Sequence, residues 1–160
     1  MEVWKDFFVA IVGAAAALAG LIFVGVSINL TKILSIRSMP GRAAESLALL
    51  IHVLIISALF LVPGQSLNLL ATEVLVIGIV ICIVVFRMDR AILKGSSPEF
   101  KVFSIRNMIL SQLAILPYVT AGILMLTYGE NGVYFIVAGI IISFIKSVID
   151  AWVLLVEINR

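Results

Sequence analysis

The sequence predicts an all-α fold: a polytopic transmembrane helical bundle of five spans, with the N-terminus outside and the C-terminus cytoplasmic. Three observations carry this. The composition is 63% hydrophobic and 12% charged, with mean hydropathy +1.27, whereas a soluble domain is about half apolar and about a quarter charged. The apolar residues form runs close to the roughly 20 residues that a helix needs to cross a bilayer core of about 30 Å. Those runs show no alternation of polar and apolar residues, which argues against the strands of a membrane barrel.

The first span, about residues 7–30, reads FFVAIVGAAAALAGLIFVGVSINL. The charges of MEVWKD before it nearly cancel, and the run exceeds a signal core of about 7–15 residues, so the span is expected to be retained. Gly13, Ala17 and Gly20 recur at helical spacing. In lipid such a strip favours helix packing by close backbone approach, with a narrow pore lined by small residues as the alternative.

The second span, about residues 44–62, follows the turn chemistry of SMPGR. The third, about residues 69–86, follows VPGQS. A cytoplasmic connector over about residues 87–107 comes next. Within it Ser97-Pro98-Glu99 has the residues of a helix start. Phe100, Phe103 and Ile105 alternate with Lys101 and Arg106 there, as an interfacial lead or an ordinary solvated loop. The fourth span covers about residues 108–128, with a kink expected at Pro117. YGENG turns the chain into the fifth, about residues 133–155. All five belong to one transmembrane domain, residues 1–160.

Lys and Arg in short loops mark the cytoplasmic side. One side holds Lys32, Arg37, Arg42, Arg87, Arg90, Lys94, Lys101, Arg106 and Arg160; the other holds Lys5 beside Glu2, Asp6, Glu73 and Glu130. Tyr128 and Tyr134 suit an outer aromatic belt and Trp152 an inner one.

A net charge of +2 argues against nucleic acid as a partner. The lone Cys82 excludes an intrachain disulfide, and with one His and one Cys there is no Cys/His metal cluster. Nucleotide-binding and hydrolase motifs are missing from the sequence, so neither an enzyme nor a cofactor is expected. An intramembrane enzyme built on His52 and acidic residues is the weakest reading.

The polar residues inside the spans need a reason, because intramembrane ionisable groups are costly and tend to face a bundle interior or water. At about 100° per residue, Gly132, Gly139, Ser143, Lys146, Asp150 and Glu157 form one stripe on the fifth span. Lys146 and Asp150 meet at i,i+4. Glu45 and His52 share a face of the second span, and Asn29 ends the first at similar depth. These five residues, Asn29, Glu45, His52, Lys146 and Asp150, are the candidate ion- or ligand-binding groups. The structural alternatives are a snorkelling Lys146 neutralised by Asp150, a boundary Glu45 and a packed neutral His52.

The N-terminal half carries WKDFFVAIVGAAAALAGLIFVGVSINL, MPGRAAESL and LVPGQ. It resembles a family of small, uncharacterised bacterial inner-membrane proteins. Some of these are automatically labelled as modulators of a membrane-anchored AAA protease. The resemblance spans about Trp4 to Gln65 and implies a bacterial inner-membrane protein, multi-pass, whose shared residues include Ser27, Asn29, Pro40, Gly41, Arg42 and Glu45. It implies no catalytic residues.

The expected function is a small oligomeric channel- or transporter-like protein with a polar cytoplasmic-half cavity for an ion, a proton or a small anion. The expected partners are the lipid bilayer and further copies of the chain. The alternative is a non-transporting regulator or assembly partner of another membrane complex, such as a membrane protease.

Overall fold

A computed structural model describes residues 2–36, 39–96 and 98–155, and every regular element among them is helical. Four helical stretches are long and apolar enough to cross a membrane: Lys5–Ile28, Met39–Leu59, Leu67–Gly95 and Lys101–Leu155. The chain is all-α and, by length and composition, multi-pass. Its sidedness agrees. Large apolar residues such as Leu21, Phe23, Val80, Ile83, Ile141 and Ile145 face outward, while Arg42, Glu45, His52, Asp89, Lys146 and Asp150 are buried. Water would select the opposite arrangement.

Helix α1, Lys5–Ile28, buries Phe8, Ala15 and Ile22, a strict seven-residue repeat. Gly13, Ala17 and Gly20 lie on the opposite, exposed side. A Cβ added at Gly13 or Gly20 meets nothing within 4 Å. Among the described residues the small-residue strip therefore packs against no other helix, because Phe8 and Ile22 offer more apolar area to bury than glycine does. At Asn29 the helix breaks: its side-chain amide donates to Gly25 O at 3.1 Å, and a short helix α2, Leu30–Ser35, follows. The first apolar run is thus two helices rather than one span to residue 30.

Helix α3, Met39–Leu59, begins five residues earlier than expected. Pro40 is the cause, since its fixed φ and missing N–H suit the first turn of a helix. Arg42, Glu45, Leu49, His52, Val53 and Ile56 are buried along it, and it packs on α1, α4 and α6.

Gly64, at φ 73°, turns the chain between α3 and α4. Helix α4, Leu67–Gly95, starts at Ser66, whose hydroxyl accepts from Leu69 N. It continues nine residues beyond the expected span. Val85, Asp89 and Ile92 keep one buried face at i, i+4 and i+7, while Arg87, Arg90 and Lys94 are exposed. Those basic residues end the lipid-facing surface, not the helix. The connector expected over residues 87–107 shrinks accordingly. Helical structure resumes at Pro98 in a 3-10 turn to Phe100 and continues as α5, Lys101–Tyr128, unbroken through Pro117. The N-cap expected of Ser97 lies outside the described residues, as do Arg37, Glu157 and Arg160.

Helix α5 and helix α6, Val133–Leu155, are joined by the 3-10 turn Gly129–Gly132, with Gly129 at φ 67°. They run antiparallel. A Cβ on Gly132 would sit 2.6 Å from Met125 N, and one on Gly139 would sit 2.7 Å from the Tyr118 ring. One end of the bundle is closed by aromatic residues, with Phe8 stacked on Phe60 at 4.0 Å and Trp4 edge-on to Tyr134 at 5.1 Å. The other end brings together the start of α3, the end of α4, the start of α5 and the end of α6. The polar residues concentrate there.

Candidate functional site

Glu45 is the hub. It sits six residues into α3, roughly 9 Å along the helix axis from Met39, and it is fully buried. Its Oε1 atom accepts from Lys146 Nζ at 3.1 Å and from the Ser111 hydroxyl. Its Oε2 atom accepts from Asn107 Nδ2 at 3.1 Å. Lys146 also donates to Asp150 Oδ2 across one turn of α6. One lysine therefore bridges two carboxylates on different helices, and α5 supplies the neutral donors. Lys146 is 3% exposed and Asp150 5%, so the groups meet one another and are closed off from the surroundings. Buried charges persist when paired and hydrogen-bonded.

Two serines brace this junction. Ser46 Oγ donates to Ser147 O at 3.3 Å, and Ser147 Oγ donates back to Ser46 O at 3.4 Å. Each lies next to a charged partner in sequence, so the reciprocal pair fixes α3 against α6 at the depth where Glu45 and Lys146 meet.

Arg42 and Asp89 complete the layer. The Arg42 guanidinium lies 4.3 Å over the Phe103 ring, within electrostatic range of Glu45, Asp89 and Asp150. Asp89, 3% exposed, faces Glu45 and Lys146, with Asn107 and Gln112 beside it. Its Oδ2 atom nevertheless reaches no donor with hydrogen-bond geometry, and neither does Gln112 Nε2 reach an acceptor. Gln112 instead accepts from the Cys82 thiol at 3.2 Å.

Of the five candidate residues, Glu45, Lys146 and Asp150 come together. His52 and Asn29 do not join them. His52 lies roughly 10 Å deeper along α3 than Glu45, edge-on to Tyr118 at 4.4 Å. Both its ring nitrogens lack hydrogen-bond partners. Tyr118 Oη lies 3.4 Å from Ser143 Oγ, which places a second, sparser polar group above the first. Asn29 is spent on its own helix end. The expected stripe on α6 is buried over its described part, with Gly139, Ser143, Lys146 and Asp150 all facing inward.

Sequence reading missed Asp89 and Arg42 as members of the layer. Asp89 lies between Arg87 and Arg90, which mark a membrane boundary. The signal that finds it is its place in the buried i, i+4, i+7 series of α4.

Among the described residues no group of three His, Cys, Asp or Glu side chains has metal-binding geometry. A shallow cleft lined by Gly41, Met88 and Ile92 borders the layer beside Arg42 and Asp89. Another, of about 190 Å³, is apolar and sits between α1, α3 and α6, lined by Leu18, Leu21, Leu50, Val148 and Leu155 among others.

Comparison of the chain with family models, curated proteins and solved structures finds no match.

Proposed function

We propose that the chain is a small bacterial inner-membrane protein of the channel or transporter type. It crosses the membrane five times, with α1, α3, α4, α5 and α6, and its charge layer handles protons on the cytoplasmic side. The observation that carries the reading is the buried Glu45–Lys146–Asp150 network, which joins α3 to α6. Ionisable groups inside a bundle mark ion paths and proton relays more than they serve stability. A small anion fits less well than a proton, because Lys146 is already held by two carboxylates. The layer also holds three carboxylates, Glu45, Asp89 and Asp150, against two cations, Arg42 and Lys146.

The test is proton flux into liposomes containing purified protein, read by an internal pH dye under an imposed potassium diffusion potential. Flux above that of empty liposomes, lost in Glu45→Gln, is the expected result. Wild type indistinguishable from empty liposomes overturns the reading.

A second reading has its own support. The exposed face of α1 presents Gly13, Ala17 and Gly20 with open space above both glycines, which suits close approach by another transmembrane helix. On that reading the chain is a regulator or assembly partner of another membrane complex, a membrane protease being the case that the N-terminal resemblance suggests. A stoichiometric co-purifying membrane protein, lost on Gly13→Leu with Gly20→Leu, is its expected result. Co-purification unchanged in that variant counts against it. The same face serves homo-oligomer formation in the transport reading.

A further inference from the structure

The charge layer does not treat its three carboxylates alike. Glu45 accepts from Lys146, Ser111 and Asn107, and Asp150 accepts from Lys146. Asp89 stands apart: it is buried to within 3%, and its Oδ2 atom is unpartnered. The groups facing it are Arg42 and Glu45 from α3, Lys146 from α6, and the amides of Asn107 and Gln112 from α5. On its own helix the neighbouring Arg87 and Arg90 are exposed, and Arg90 lies over the Phe86 ring at 5.7 Å.

We propose that Asp89 is the exchangeable carboxylate of the layer, taking up and releasing one proton while Glu45 and Asp150 stay held by Lys146. With all five groups ionised, three negative charges face two positive ones. One proton on Asp89 leaves Glu45 and Asp150 matched by Lys146 and Arg42, with no net charge buried. A proton on Glu45 instead would weaken the acceptor that Lys146, Asn107 and Ser111 all address. A proton on Asp150 would weaken its bond to Lys146. At Asp89 the proton goes to Oδ2, which accepts no hydrogen bond, so it weakens the support of the neighbouring Asn107 and Gln112 amides but breaks no bond to Lys146. The step is a plain acid–base equilibrium: water or hydronium delivers the proton to Oδ2, and the carboxyl returns it. Gln112 is placed to respond, because its unpartnered Nε2 atom can turn toward the ionised carboxylate at the expense of the Cys82 contact.

This inference names the titrating group of the proposed proton site, and its test does not depend on transport. Infrared difference spectra of the purified protein in lipid, taken across a pH titration, report the carbonyl stretch of a buried protonated carboxyl. Wild type is expected to show one such band. Asp89→Asn removes it and Asp89→Glu shifts its frequency, while Asp150→Asn, which leaves two carboxylates against two cations, moves its appearance to lower pH without changing its frequency. A band that survives Asp89→Asn, or that vanishes in Asp150→Asn while Asp89→Glu leaves it unshifted, overturns the assignment. A band that follows Asp89 in a protein without proton flux keeps the assignment and removes the transport reading.

Discussion

Lys146 shows how one side chain ties several others to a single outcome. Removing one member of a buried ion pair costs about 3–5 kcal/mol, because the remaining charge loses its partner. Lys146→Met strands both Glu45 and Asp150, so unfolding in mixed micelles should show a loss of about that size. Adding Asp150→Asn recovers only part of it, since Glu45 stays uncompensated. Adding Glu45→Gln as well should return the protein close to wild-type stability. If the double variant already recovers fully, Glu45 is held by α5 alone. His52 predicts the reverse pattern. Its nitrogens make no hydrogen bonds, so His52→Phe keeps the ring contact with Tyr118 and should move unfolding by no more than about 1 kcal/mol. A loss of several kcal/mol would mean that the imidazole is bonded in the bilayer. Helical spacing on α6 makes the Lys146–Asp150 pair readable in sequence, and depth matching makes Glu45 readable. Arg42 and Asp89 were not, because a charge at a membrane boundary needs no partner to explain it. The path of α4 beyond that boundary brings Asp89 inward, and the early start of α3 at Met39 does the same for Arg42.

Among the helices, the closest contacts fall where the sequence looks least remarkable for packing. The Gly/Ala run of α1 faces outward, while single glycines carry the tight crossings. A Cβ at Gly122 would lie 2.8 Å from the Leu75 backbone, and Gly78 meets Val119 in the same α4–α5 contact. Gly122→Ala should therefore destabilise by about 1–3 kcal/mol, whereas Gly20→Ala should be neutral or stabilising by up to about 1 kcal/mol. Thermal unfolding of both variants in one detergent makes the comparison. Equal effects would mean that α4 and α5 adjust by sliding. Helix existence was legible from hydropathy. The ends were legible only in part, since Pro40 initiates a helix where proline-glycine suggests a turn, and α4 runs past its last lipid-facing residue. Which face packs depends on the partner, and a single sequence holds no partner.

As a whole the molecule separates an aromatic end from a charged one, and the orientation follows from which end meets the cytoplasm. In a Cys82→Ser background, Tyr128→Cys should react with a membrane-impermeant thiol reagent applied outside intact cells. Lys94→Cys should react only after permeabilisation. The opposite pattern inverts the proposed topology while leaving the fold untouched. Mass in detergent, corrected for bound detergent, measures assembly. Gly13→Leu with Gly20→Leu should lower that mass if copies meet through α1, and an unchanged oligomer moves the contact elsewhere.

The tie between Glu45 and Lys146 also sets a timetable for biosynthesis. The two residues are 101 positions apart, and translation runs at about 5–20 residues per second. A nascent α3 therefore waits roughly 5–20 s for its counter-ion. Hydropathy follows that order: α1, with a mean of 2.6, can enter lipid alone, while α3, at 1.7, is the least apolar of the four stretches. During the wait α3 carries Arg42, Glu45 and His52 without α6, which makes it the segment most dependent on the insertion machinery. A ribosome that stalls before α6 leaves Glu45 with Arg42 of its own helix as the nearest cation and without the Lys146 bond that ties α3 to α6.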